Sequence, residues 1–245
     1  MQIDQVYIIS IDLREEYIEE LLDRAKGLPF PEGTPIKVFE GFVGKRLKTE
    51  ENLPYKLYDG WALSPEVIEY GFWNRPTTWG EAGGMISHTK IWEDAYEKGY
   101  KTIMILEDDF ISMEPIDWNI FDETQGYEWE MALLAHNSLH DNFHNISTPI
   151  RIGLKHWVKP TFFYNTHSYI LRRSALEKLV EQHLPILKQN IIVSDEFLSA
   201  VIASHPRSDI REMFISNINA IATKKNFVGQ TRWESLGNSL TSPDA

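Results

Sequence analysis

Two short runs, Val6-Tyr-Ile-Ile-Ser-Ile11 and Thr102-Ile-Met-Ile-Leu106, are apolar at nearly every position. Runs of this length, bounded by polar residues, describe strands buried inside a sheet. Elsewhere the period changes. Ile18, Leu21, Leu22 and Ala25 fall on one helical face, and Leu176, Leu179 and Val180 supply another. This alternation predicts an α/β chain with helices on the faces of a sheet. Ligands in such sheets sit at the carboxyl ends of strands, which directs attention to Ser10, to Glu107-Asp108-Asp109 and to Ala135-His136-Asn137.

The remaining elements follow from local signals. Asp12 is placed to cap the first helix, with Glu15 in the capping-box position. Ile36–Phe39 reads as a strand, and 45–63 as a solvated loop carrying Lys45, Arg46 and Lys48. Ser64-Pro65-Glu66 opens a helix. A loop rich in Trp and Pro, Trp73 to Trp79, leads into a longer helix from about Glu81 to Lys98, stopped by Gly99. Trp129–Ala135, Ser168–Leu171 and Phe214–Ala222 read as strands. Ser174, with Glu177, starts one helix, and Ser194 or Asp195 caps another that ends before His205-Pro206. There is no internal repeat. One domain is expected over 1–235, with 236–245 as a small, polar, mobile tail.

Composition narrows the function. The 245 residues include no cysteine, which removes disulfides, thiolate nucleophiles and Cys-type zinc sites. A formal net charge of −12 disfavours a nucleic-acid partner, which needs a basic surface. No apolar run approaches the roughly 20 residues that span a bilayer, and Met1 runs almost directly into the first strand. The expected location is the cytoplasm, without a transmembrane segment.

Glu107-Asp108-Asp109, directly after a hydrophobic strand, is the sharpest chemical feature. Three adjacent carboxylates repel one another, and a divalent cation relieves that repulsion. Mg²⁺ and Mn²⁺ prefer oxygen ligands and commonly bridge one or two carboxylates to substrate phosphates. If strand geometry persists through the triplet, Glu107 and Asp109 share a side. The competing reading is a solvated acidic loop.

The stretch Gly80-Glu-Ala-Gly-Gly-Met-Ile-Ser-His88 lies one helix upstream of the strand that ends in Glu107-Asp108-Asp109. This resembles glycosyltransferase family 25, whose members carry a Gly-Glu-x-Gly-Cys-x-x-Ser-His element, a helix, and a strand ending in Glu-Asp-Asp. Val6-Tyr-Ile-Ile-Ser-Ile11 with Arg14 is similar to the opening of that family, and Ser168-Tyr-Ile-Leu-Arg-Arg-Ser-Ala175 to a later segment. Val193-Ser-Asp-Glu-Phe-Leu198 followed by His205-Pro206 is similar to the procollagen galactosyltransferase branch. Three positions depart from the pattern. Gly84 stands for the family cysteine, Ser10 for an asparagine, and Tyr17 for an arginine.

The resemblance implies a GT-A fold, a Rossmann-like mixed sheet flanked by helices that binds a sugar nucleotide. It implies inverting transfer of galactose or glucose from a UDP-sugar, with Mn²⁺ or Mg²⁺ held by Glu107 and Asp109. Ser10, Arg14, Ser87, His88 and Asp108 are then donor-binding candidates. Inversion in a single displacement needs a general base on the acceptor hydroxyl. Asp195 is the first candidate and Glu196 the alternate, against the plainer reading of Asp195 as a helix cap. His136 and Asn137, at a strand end, and Trp79, read as a loop residue, are the acceptor-side candidates. His136, His140 and His144 recur every fourth residue, but their Asn- and Ser-rich setting favours a loop over a metal-binding helix face.

The expected acceptor is either an envelope glycan or hydroxylysine on a collagen-like protein. The Asp-Glu-Phe-Leu segment favours collagen, and the cytosolic character favours a bacterial glycan or a viral pathway. The alternative is a non-catalytic sugar- or nucleotide-binding domain on the same fold.

Overall fold

Gln5–Ser10 (β1) is buried at every position because it lies between two parallel neighbours. The computed structural model describes residues 1–49, 53–62, 76–135, 149–163 and 167–231. After β1 come helix α1 (Glu15–Ala25), strand β2 (Ile36–Glu40), the one-turn helix α2 (Gly44–Leu47) and the long helix α3 (Trp79–Glu97). Strands β3 (Thr102–Glu107), β4 (Phe110–Ser112), β5 (Met131–Leu133), β6 (Ile150–Arg151), β7 (Trp157–Lys159) and β8 (Ser168–Arg172) follow. Then come α4 (Arg173–Glu177), a π-helical turn at Lys178–His183, α5 (Leu184–Gln189), α6 (Ser194–Ile202), α7 (Ser208–Met213), β9 (Ala220–Thr223) and β10 (Val228–Gln230).

Eight strands form one mixed sheet in the order β2-β1-β3-β8-β5-β9-β7-β6, and β10 pairs with β4 in a two-stranded ribbon. β1, β2 and β3 are parallel, and β8 runs against both β3 and β5. The carboxyl ends of β1, β3 and β5 therefore lie on the same sheet edge as the start of β8. Side-chain alternation sends Tyr7, Ile9, Ile103, Ile105, Tyr169 and Leu171 into one apolar layer beneath α3 and α6. Val6, Ile8, Met104, Leu106 and Ile170 enter the opposite layer with Leu21 and Ala25 of α1. Burial on both faces explains why β1 and β3 are apolar without alternation.

α3 begins where Thr78 and Glu81 form a reciprocal capping box. It ends at Gly99, whose φ of +70° terminates the helix at little steric cost. Its first turns touch backbone. A Cβ on Gly83 would lie 2.3 Å from the Phe42 carbonyl oxygen, and one on Gly44 would lie 2.2 Å from that of Trp79. These glycines let the β2–α2 connection lie directly on α3.

Several local expectations are corrected. Trp79 is the first residue of α3 and is packed against the core, not a loop residue. Gly44–Leu47 is helical and Asp59–Ala62 is a 3-10 turn, so 45–63 is not simply loop. Strand character stops at Glu107, and Asp108 and Asp109 form the turn into β4. Glu107 and Asp109 are therefore not related by strand alternation. Asp12, Ser174, Ser194 and Asp195 do not cap their helices. The N-caps are Arg14, Arg172 and Val193, none with a side-chain capping bond. Asp12 is taken by Arg14, and Ser174 hydrogen-bonds Glu130. Phe214–Ala222 contributes a strand only from Ala220. The expected helix start at Ser64 and the tail after 235 lie outside the described residues.

Candidate active site

The turn after β3 directs the three acids to three different parts of the fold. Glu107 Oε1 lies 3.2 Å from Nε2 of His88 on α3. Asp108 Oδ2 accepts from the Ser10 hydroxyl at 2.7 Å, at the end of β1. Asp109 Oδ2 accepts from the Gln230 amide at 3.2 Å, and its backbone carbonyl accepts from Thr231 N–H at 2.9 Å. The turn is held from below by Arg24, whose guanidinium donates to the Asp108 carbonyl at 2.7 Å.

Three carboxylates in one partly buried turn perturb one another. Burial pushes the Asp108 carboxyl up, and the Glu107 charge adds to this, while the Ser10 hydrogen bond opposes it. Asp109 is pushed up to about 7, first by burial and then by the charges of Glu107 and Asp108. Its Oδ1 atom is buried and has no hydrogen-bond partner among the described residues. A polar atom left in that state costs roughly 1–3 kcal/mol. Three further orphaned atoms belong to neighbouring positions on the same edge: His167 Nδ1, Ser168 Oγ and Thr231 Oγ1. His167 accepts the Glu107 N–H through its carbonyl, and Ser168 stands opposite Leu106 in the β3–β8 register. Burial lowers the His167 pKa, with the Glu107 charge opposing.

These features fit a divalent cation. It would partner the Asp109 oxygen and neutralise the crowded charge. Among the described residues no three His, Asp or Glu side chains converge as a ready-made cage. A cation held by one or two carboxylates and completed by substrate oxygens and water needs no such cage.

Ser10, His88, Glu107, Asp108 and Asp109 are thus brought together. Ser87 sits beside them but faces backbone: its hydroxyl donates to the Gly83 carbonyl at 2.7 Å and accepts from Phe42 N–H at 2.8 Å. Arg14 is exposed at the start of α1 and pairs with Asp12. Asp195 is half-buried in the first turn of α6, while Glu196 beside it is fully buried, 2.6 Å from His205 Nε2. α6 reaches the acid site through packing, with the Phe197 ring 5.8 Å from that of Trp92, the residue one turn after His88 on α3. His136 and Asn137 lie outside the described residues, as do His140 and His144.

Tyr169, His167, Gln230 and His205 were not singled out as site residues from the sequence. Tyr169 lies in the family-like segment Ser168–Ala175 but carries no local sign of a site role, and neither does Gln230. His205 stands in the His-Pro pair that ends a helix and belongs to the family-like segment, with no sequence sign that it meets Glu196.

The family model for glycosyltransferase family 25 (LPS biosynthesis protein) matches residues 3–198. A glycosyltransferase 25 family member from Anopheles gambiae is 25% identical over 212 residues, covering 84% of this chain and 33% of that protein. Human procollagen galactosyltransferase 2 is 21% identical over 225 residues, covering 88% of this chain and 33% of that protein. A probable inactive glycosyltransferase 25 family member 3 from Bos taurus is 23% identical, covering 95% of this chain and 38% of that protein. The chain spans about a third of the length of these relatives. An acid turn at the end of β3, tied to the Ser-His element of α3 and lying within a family match of this extent, has one consistent reading: the chain belongs to glycosyltransferase family 25.

Proposed function

We propose that this chain is a GT-A-type transferase that moves a hexose, galactose or glucose, from a UDP-sugar with inversion. The acceptor is a glycan or the hydroxylysine of a collagen-like protein. The observation that carries the reading is the buried Oδ1 of Asp109, without a partner among the described residues, inside an acid turn at the carboxyl end of β3. The family description names lipopolysaccharide synthesis and the human relative names procollagen, and these supply the two acceptor classes.

In this reading Asp109 and Glu107 hold Mn²⁺ or Mg²⁺, which when bound would neutralise the diphosphate of the leaving UDP. Asp108, fixed by Ser10, lines the donor side, and Arg14 on the exposed rim reaches toward the nucleotide. Ser87 and His88 support the site from behind. Asp195 takes the acceptor proton, because it is half-buried in a first helical turn where the helix dipole favours a carboxylate. Glu196 is sealed against His205 and anchors α6. His136, Asn137 and Trp79 stay on the acceptor side, with Trp79 offering at most an edge, since it packs on the core.

The test is thermal unfolding with UDP, with and without Mn²⁺. A ligand at 100 times its Kd stabilises by about 2.7 kcal/mol. The reading expects a UDP shift that needs Mn²⁺ and is lost in Asp109→Asn, and an unchanged shift in that variant removes the acid turn from the site. The second reading, a binding domain without transfer, is favoured by the relative named as probable inactive. A panel of nucleotide sugars that bind with Mn²⁺ yet are neither hydrolysed nor transferred would establish it.

A further inference from the structure

The imidazole of His88 is buried between two partners of different kinds. Nδ1 lies 2.8 Å from the Tyr169 hydroxyl, and Nε2 lies 3.2 Å from Glu107 Oε1. The Tyr169 hydroxyl also accepts from the Trp92 indole N–H at 3.2 Å. Trp92, Tyr169 and His88 are 0%, 0% and 1% exposed, whereas the Glu107 side chain retains 29% exposure. A run of hydrogen bonds thus leads from the core to a partly exposed carboxylate of the acid turn.

The polarity of that run is determined by counting hydrogens. The indole can only donate, so the Tyr169 oxygen accepts there. The oxygen could accept a second hydrogen bond from Nδ1, but that would strand the hydroxyl hydrogen, whose acceptor among the described residues is His88 Nδ1, and would turn the Nε2 lone pair on the Glu107 carboxylate, so Nδ1 is the unprotonated nitrogen. Burial raises the Tyr169 pKa well above its usual value, so the hydroxyl stays a donor. His88 is left with its hydrogen on Nε2, pointing at Glu107. The ring has little freedom to reorient, because Tyr169 and Trp92 flank it at centroid distances of 5.7 and 6.4 Å.

We infer that Tyr169 and His88 are positioning residues for the donor site: Tyr169 holds His88 as its Nε2–H tautomer, and His88 in turn fixes the Glu107 carboxylate in the orientation that receives the cation. This rests on the reading of Glu107 as a cation-holding residue. A purely structural hydrogen-bond chain would stay among buried groups, but this one reaches a partly exposed carboxylate beside Asp108 and Asp109. Outer partners of this kind hold ligating side chains in place in metal sites generally.

The experiment uses the whole chain labelled with ¹⁵N-histidine, metal-free, and then UDP titrated in saturating Mn²⁺. His88 is assigned by the signal lost in His88→Gln. In the parent, Nε2 is expected in the protonated shift range and Nδ1 in the unprotonated range. Tyr169→Phe is expected to move the pair toward the Nδ1–H form and to raise the UDP Kd by up to about tenfold, the upper size of one lost neutral hydrogen bond. His88→Gln keeps a donor for Glu107 and is expected to stay within about threefold of the parent Kd, where His88→Leu loses about tenfold. The Gln and Leu pair decides the question even if Tyr169→Phe does not fold. A parent His88 protonated on Nδ1 overturns the proposal. So does a Tyr169→Phe protein with unchanged UDP affinity, or equal affinities for the Gln and Leu variants. A parent that binds no UDP in Mn²⁺ overturns the transferase reading instead, and the tautomer shift in Tyr169→Phe then decides the relay by itself.

Discussion

His205 Nε2 lies 2.6 Å from Glu196 Oε2, and neither side chain has any exposed surface. Arg207 N–H donates to His205 Nδ1 at 3.1 Å, so the ring hydrogen is on Nε2 and points at the carboxylate. The pair ties the first turn of α6, which presents Asp195, to the segment that follows the helix. Leaving the buried His205 Nε2–H without its acceptor typically costs about 1–3 kcal/mol. Glu196→Ala should therefore lower stability by that order, measured by urea unfolding. A loss below about 1 kcal/mol would show that Glu196 does not anchor the helix.

Asp195→Asn separates base from scaffold. The N-cap of α6 is Val193, so Asp195 has no capping role to lose. Folding, Mn²⁺ dependence and UDP affinity should survive the change. Turnover should fall by about 10²–10⁴, the usual contribution of general-base catalysis. Steady-state transfer kinetics check this, and full activity would dismiss Asp195 as the base.

Gly83 and Gly84 are neighbours with opposite environments. A Cβ on Gly83 meets the Phe42 carbonyl oxygen at 2.3 Å, while one on Gly84 meets nothing within 4 Å. Gly84→Ala should raise stability by about 0.5–1 kcal/mol through helix propensity. Gly83→Ala should lower it by about 1–3 kcal/mol, because backbone must move to admit the methyl group. Paired thermal melts distinguish the two, and equal effects would contradict the close approach.

The raised pKa of Asp109 makes metal-free stability depend on pH. Its folded value is pushed up to about 7, above an unfolded value of about 3.9. The folded state therefore holds this proton more tightly. The contribution is fully present below about pH 4 and is lost as pH rises through 7. In chelator, Asp109→Asn should flatten this part of the profile and gain on the parent between pH 4 and 7. Mn²⁺ stabilisation of the parent should grow over the same range, because binding displaces the proton. Melting temperatures of both proteins across pH 4–8 test the sign.

The α/β class, the two central strands and the long helix could be read from the sequence, because each depends on spacing within a few residues. Val6–Ile9 and Ile103–Leu106 are apolar on both faces, and no surface strand tolerates that. The Thr78–Glu81 box at the start of α3 is equally local, and it opens the helix at Trp79, two residues before the expected Glu81. The acid triplet and the Ser-His element were visible as words in the chain. Only the tertiary structure decided what those words do. Asp109 meets Gln230 from 121 positions away, Asp108 meets Ser10 from 98, and His88 meets Tyr169 from 81. Asp12 and Ser174 have the spacing of caps but do not cap, because a side chain bonds whichever partner the fold brings nearest, here Arg14 and Glu130. Periodicity reports which face of an element is buried. It carries no information about which residue of a distant element lies opposite, and that pairing determined the polarity of His88 and the orphaned oxygen of Asp109.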